Sequence, residues 1–260
     1  MAEIGVQAGA NGAVTFWLDN PAKHNALTAD MLANLIGGIQ HQAVLPGTRL
    51  IVIRGRQGIF CAGRDVSDLQ ISAPQAKHIA MEQVRPAKQL ADTLLNCAVP
   101  TVAAVSGRAI GLGLGIAVWC DLAIADQSAN FSVPEARLGI PPSMTAWSLA
   151  RVVGARNAAD WVLRGRTVRA QEAWHCGLIP QPCQDEADLS RALEVIAQDV
   201  CRCGPAALRA SKALMRELDG QPFMQGLERA TRVAADSLAS DEAEEGMRAF
   251  REKRPPIWMI

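Results

Sequence analysis

The chain carries no excess charge of either sign: 26 lysines and arginines balance 26 aspartates and glutamates over 260 residues. Such a balance supplies no overall field to draw in nucleic acid, though a local basic patch for an anionic small molecule stays open. Histidine is scarce. The four residues, His24, His41, His78 and His175, are scattered without ligand spacing, so no metal is expected. The seven cysteines (Cys61, Cys97, Cys120, Cys176, Cys183, Cys201 and Cys203) are odd in number and include no C-x-x-C pair. Cys201 and Cys203 have no matching second pair, which argues against zinc and for small apolar packing in a reducing cytosol. Long apolar runs are missing as well. The longest, Ala109 to Cys120, is glycine-rich and too short to span a bilayer. The first twelve residues hold an early acid and no signal-like apolar run. The expectation is a soluble, cytoplasmic protein with no membrane or nucleic-acid partner.

Hydrophobic residues make up 49% of the chain and charged residues 20%, enough to bury a sizeable core. The length suits one large α/β domain, or one domain with a small appendage. Val14 to Leu18, Leu50 to Ile53, Thr101 to Val105 and Leu122 to Ala125 read as strands. Thr28 reads as the N-cap of a helix with Met31, Leu32, Leu35, Ile36 and Ile39 on one face. Asp65 reads as the cap of a short helix through Leu69. A helix from about Gln75 to Cys97 is expected to break near Pro86. Gly107 to Gly115 reads as a glycine-rich turn entering an apolar helix. Beyond residue 145 strand signals nearly vanish and helices dominate, ending at Pro255-Pro256. An α/β core with a helical C-terminal part follows.

Three segments carry chemistry: Pro21 to Leu27, Gly58 to Asp65, and Pro100 through Gly111-Leu112-Gly113 and Cys120-Asp121 to Pro134-Glu135 and Pro141. Glycines let backbone approach a ligand, and helix N-termini present N–H groups that lack intrahelical partners. Two such turns, at Gly63-Arg64 and Gly111-Leu112, could aim two N–H donors at one oxygen, which is an oxyanion hole. Glu135 follows the stiffening Pro134 between apolar runs; a carboxylate beside an apolar pocket exchanges protons near neutral pH. The bland alternatives are close packing for the glycine turn, an ion pair with Arg137 for Glu135, and ordinary surface charges for Lys23 and Arg64. The run Gly111-Leu112-Gly113-Leu114-Gly115 is not a dinucleotide fingerprint, because its third glycine comes two residues after the second rather than three.

Taken together, these motifs resemble the enoyl-CoA hydratase/isomerase (crotonase) family. The resemblance rests on Ala22-Lys23-His24-Asn25-Ala26-Leu27, Phe60 to Asp65, the glycine turn with Cys120-Asp121, Pro134-Glu135 with Leu138-Gly139, and the ending Glu245 to Phe250 with Lys253-Arg254-Pro255. It implies a ββα spiral core over residues 1–195 and a helical oligomerisation region over 196–260, assembling as a homotrimer or hexamer. It implies an acyl-CoA substrate and no cofactor beyond the coenzyme A within that substrate. By the same resemblance the backbone N–H groups of Arg64 and Leu112 form the oxyanion hole and Glu135 is the proton carrier. Ala22, Lys23, Asn25, Ala26, Leu27, Ala62, Gly63, Asp65 and Gly111 would line the substrate and coenzyme A site. Lys253 would reach it from an adjacent subunit.

Two departures matter. Hydratases of the family place a second glutamate where this chain has Gly115, which favours double-bond isomerisation over hydration, with 2-enoyl-CoA hydration and silent acyl-CoA binding as the rivals. The glycine-rich run usual further on is replaced by Pro142 to Trp147, so Met144 and Trp147 are expected to shape the acyl pocket.

Overall fold

A computed structural model describes residues 2–68, 77–217, 220 and 222–259. In chain order it runs β1 (Glu3–Ala8), β2 (Ala13–Asp19), α1 (Ala29–Ala43), β3 (Leu50–Gly55), α2 (Lys77–Leu95), β4 (Thr101–Val105), β5 (Arg108–Ile110), α3 (Leu112–Trp119), β6 (Leu122–Ala125) and β7 (Asn130–Ser132). There follow α4 (Ser143–Val153), α5 (Ala155–Arg164), β8 (Val168–Arg169), α6 (Ala170–His175), α7 (Glu186–Arg202), α8 (Pro205–Glu217), α9 (Phe223–Leu238) and α10 (Asp241–Glu252).

The larger sheet has the order β1-β2-β3-β4-β6, parallel except for the β1–β2 pair. Side chains alternate across it, as the strand period of two requires. Ile51 and Ile53 of β3 enter the main core with Phe16, Leu18, Ala103 and Val105. Leu50 and Val52 point the other way, against Val102, Ala104 and Ile124 and under Leu189, Leu193 and Ala197 of α7. Burial on both faces explains why β3 and β4 read as continuous apolar runs. It also assigns α7 to the core: a division at 195/196 runs through this one helix.

The smaller sheet, β5-β7-β8, gave no sequence signal. Its strands have two or three residues, too few for a period to register. Arg108 to Ile110, expected as turn, is one of them. Single bridges extend the layer: Cys61 pairs with Ala109, and Leu27 with Arg64. Successive turns of the chain therefore place a strand in the large sheet, a short segment in the inner layer, then a helix. This is the expected ββα spiral.

Thr28 caps α1 by accepting from the Met31 N–H at 3.2 Å. Asp65 caps a single 3-10 turn, Val66–Asp68, through the Ser67 N–H at 3.1 Å; Leu69, the expected end of that helix, and Gln75 lie outside the described residues. Contrary to expectation, α2 passes through Pro86 without a break. Proline has no N–H to offer the Glu82 carbonyl, but Ala87, Leu90, Ala91 and Leu94 bury this helix in the core. The Arg64 guanidinium donates to the nearby Gln83 carbonyl. Burial of the helix in the core offsets the proline.

Ion pairs tie α8 to the core, others hold the C-terminal segment to itself, and hydrogen bonds from Arg49 fasten the chain's end. Asp121 accepts from the Thr101 N–H at 2.8 Å and pairs with Lys212 at 2.6 Å and Arg216 at 2.8 Å on α8. Buried Glu245 pairs with Arg248 at 2.6 Å and Arg254 at 2.7 Å. Arg49 donates to the carbonyls of Cys203 at 2.7 Å and Trp258 at 3.0 Å. Among the described residues no helix is long and apolar enough to cross a membrane, and no cluster of three or more candidate metal ligands occurs.

Candidate active site

The three motif segments lie side by side. Leu27 N–H donates to the Gly63 carbonyl at 2.8 Å, and Asp65 N–H to the Leu27 carbonyl at 2.9 Å. Ala62 N–H donates to the His24 carbonyl at 3.0 Å. Cys61 N–H donates to the Arg108 carbonyl, and Ile110 N–H to the Cys61 carbonyl. In the Leu27–Arg64 bridge it is the flanking residues that bond, so the Arg64 N–H is directed to the opposite edge of its extended segment. Leu112 is the first residue of α3, where helical N–H groups lack intrahelical partners. A Cβ placed on Gly63 (φ +99) would lie 3.6 Å from the Leu112 nitrogen. The two glycine turns thus meet.

Glu135 joins them from the 3-10 turn Pro134–Leu138. Its carboxylate rests on bare Gly111: a Cβ there would fall 2.4 Å from Oε1 and 3.2 Å from Cδ. Gly111 also has φ +55 and ψ −113, a backbone shape a side chain resists. Oε2 is buried without a hydrogen-bond partner. Burial raises the Glu135 pKa, opposed in small part by a backbone hydrogen bond. Arg137 is turned away and donates to the Arg164 carbonyl at 3.3 Å. The carboxylate is therefore half-buried, poorly solvated and free to accept a proton.

These groups open on a cavity of about 280 Å³. Its walls are mostly apolar: Val66, Val84, Ala87, Ile110, Leu138, Ile140, Pro141 and Met144, with Trp119 and Thr145. Glu135 is the one carboxylate among its described lining residues. Of the two bulky residues expected to shape it, Met144 lines the cavity but Trp147 does not, being 73% exposed. The α4 residues facing inward are Thr145, Leu149 and Val153, at a spacing of four. Trp147 lies about 200° round the helix from Thr145. Trp119 supplies the aromatic wall instead, and the sequence reading missed it. The available signal was Gly115, one helical turn earlier.

Other expected site residues divide into two groups. Ala62, Gly63, Arg64, Gly111 and Leu112 line the cavity. Ala22 and Lys23 lie in the 3-10 turn Pro21–Lys23, and Ala26 and Leu27 are buried beside the Gly63 backbone. The Asn25 side chain is committed internally: Nδ2 donates to the carbonyls of Arg56 at 3.0 Å and Ile59 at 2.6 Å, while Oδ1 accepts from the Asn20 N–H. It brackets the loops, which leaves its amide no reach toward a ligand. Lys23 pairs with buried Asp65 at 2.6 Å, and this contact, with Ser67, holds the Asp65 carboxyl below its usual range. Lys253 ends α10 in a left-handed conformation, exposed and outside the cavity lining. Cys61 and Cys120 are buried, with thiols pushed up to about 12, so neither is a nucleophile.

A ββα spiral whose glycine turns converge on one half-buried carboxylate defines a crotonase-type fold. The model of the enoyl-CoA hydratase/isomerase family matches residues 9–259. The chain is 32% identical over 240 residues to the 2,3-dehydroadipyl-CoA hydratase of Escherichia coli, covering 92% of each protein. It is 31% identical over 251 residues to a Thermus thermophilus protein that carries the name of an enoyl-CoA hydratase, covering 96% of this chain and 99% of that one. An enoyl-CoA hydratase/isomerase structure from Marinobacter aquaeolei superposes with a TM-score of 0.92 at 27% identity, over 99% of both chains. The chain belongs to the enoyl-CoA hydratase/isomerase family.

Proposed function

We propose that this protein moves a proton at the Cα of an acyl-CoA thioester, with Glu135 as the carrier and the backbone N–H groups of Arg64 and Leu112 receiving the enolate oxygen. The reaction favoured by the site is conversion of a 3-enoyl to a 2-enoyl thioester. Glu135 takes a proton from C2, negative charge spreads to the thioester oxygen between the two N–H groups, and the double bond shifts. The protonated Glu135 then returns its proton at C4. Each oxyanion donor is worth roughly 10²–10³ in rate. The observation that carries this reading is the lone carboxylate among the described residues lining an apolar cavity, seated on Gly111 with one oxygen unpartnered. Its raised pKa brings it nearer that of the weak carbon acid it serves.

Hydration of a 2-enoyl thioester is the second reading, and the names of the relatives favour it over isomerisation. In it Glu135 takes a proton from water as oxygen bonds C3, then delivers a proton to C2. Both readings need no group beyond the coenzyme A of the substrate, and both place it along Ala22 to Leu27 and the Ala62 backbone. Lys23, and Lys253 from a neighbouring subunit, would stand near its phosphates. Assembly as a homotrimer or hexamer belongs to the same proposal, supported by exposed Met215, Phe223, Met224, Leu238 and Phe250 on the last three helices. So does a cytoplasmic setting, in which seven free thiols stay reduced.

Mass spectrometry of 2-enoyl- and 3-enoyl-CoA esters incubated in deuterated water separates the readings. Deuterium uptake with a moved double bond supports isomerisation, and gain of one water supports hydration. Glu135→Gln should bind acyl-CoA yet lose turnover by about 10²–10⁴. Equal turnover in the variant would remove Glu135 from the mechanism. In the wild type, turnover should rise with pH through a value above that of an ordinary glutamate, because the base works only when deprotonated.

A further inference from the structure

We infer that Trp119 sets how long an acyl chain the protein accepts, as an end wall that Gly115 admits and Ser148 fixes. The inference rests on reading the cavity as an acyl-CoA site. Trp119 closes α3 and is 1% exposed, yet it lines the cavity. Gly115 lies one turn earlier on the same helix face. A Cβ there would fall 2.9 Å from Trp119 Cη2, 3.1 Å from Cζ3 and 3.1 Å from Thr145 Oγ1. The indole therefore folds back along bare helix backbone, in space a side chain at 115 would otherwise take. Its Nε1 donates to the Ser148 hydroxyl on α4 at 2.9 Å. A rigid ring held by packing and by a hydrogen bond does not yield to a ligand.

Position along α3 converts this wall into a length limit. Leu112, whose N–H faces the thioester end, begins the helix. The indole reaches back to Gly115, three residues on, so the wall stands roughly 5 Å along the axis from Leu112. Thr145 and Met144 of α4 flank it. Such a run accommodates a short acyl chain. A longer chain meets the ring.

The test is binding, which needs no turnover. Dissociation constants of saturated acyl-CoA esters with four, eight and twelve carbons are measured on the purified full chain, for wild type, W119A, W119L and S148A. Wild type should bind the four-carbon ester best. W119A and W119L should gain about 10-fold or more for the eight-carbon ester, since one added methylene in an apolar pocket already changes recognition by that much. S148A, which keeps the ring and removes its anchor, should shift in the same direction by less. An unchanged length order in the folded variants overturns the inference while leaving the acyl-CoA reading intact. Failure of wild type to bind any of the three esters overturns both.

Discussion

Alanine at position 111 would place a methyl group 2.4 Å from Glu135 Oε1. To clear 3.0 Å that oxygen has to retreat by about 0.6 Å, and by more to reach ordinary contact distance. The backbone at φ +55 and ψ −113 adds strain of about 1–3 kcal/mol in stability. Displacement of a reacting group by about 1 Å costs on the order of 10² in rate, or about 2.7 kcal/mol of barrier. Gly111→Ala should therefore lose about 100-fold in turnover while its acyl-CoA affinity stays near that of wild type, because the Leu112 N–H is a backbone group and survives. The assay is the rate of deuterium uptake at the α-carbon of a 3-enoyl-CoA ester, read beside the dissociation constant and a circular dichroism spectrum. A folded G111A enzyme within about threefold of wild-type turnover would refute the claim that Glu135 works from its seat on Gly111.

Other substitutions test neighbouring parts of the argument. Asn25→Ala should cost about 2–3 kcal/mol in a urea titration, since it strands two carbonyls and an N–H; unchanged stability would return Asn25 to the ligand-binding group. Gly115→Glu alone should destabilise by roughly 3 kcal/mol, from the clash with the Trp119 ring and the burial of a charge. Combining it with Trp119→Ala should recover part of that loss and raise the rate of water addition to a 2-enoyl ester; a double variant no more stable than G115E would mean the ring is not the obstacle. The carboxyl of Glu245 is held down to about 2, chiefly by Arg254 and then Arg248. Its contribution is present above the ordinary glutamate value and is lost as pH falls through about 2. Glu245→Gln should therefore flatten the acid side of the Tm profile, and an acid limb of unchanged steepness would contradict this.

Much of the architecture was legible because the large-sheet strands are long and apolar and the first helix announces itself through Thr28. The motif glycines were legible for a related reason, since backbone approaches closely at Gly63, and at Gly111 a carboxylate lies where a Cβ would stand. What escaped was set by partners distant in sequence. Strands β5, β7 and β8 exist only as pairs, and their two or three residues carry no period. The wall of the cavity was assigned to Trp147, which faces outward, because the inward face of α4 follows from packing rather than from residue size. Pro86 looked like a break until the burial of its helix was known. Lys23 and Asp65 read as separate site residues, and the ion pair that joins them across 42 positions left no sequence signal.

The glycine turns and the cavity walls also differ in what each can inherit. The proposed enolate-binding donors are main-chain groups, held by hydrogen bonds between three strands of chain, and of the single replacements at Arg64 or Leu112 only proline deletes one outright. The walls at Val84, Ala87, Leu138, Met144 and Trp119 are side chains from separate elements, each open to exchange. A lineage built this way can exchange its walls, and with them its substrates, while the main-chain donors stay, and Glu135 with its seat on Gly111 is the vulnerable link between the two.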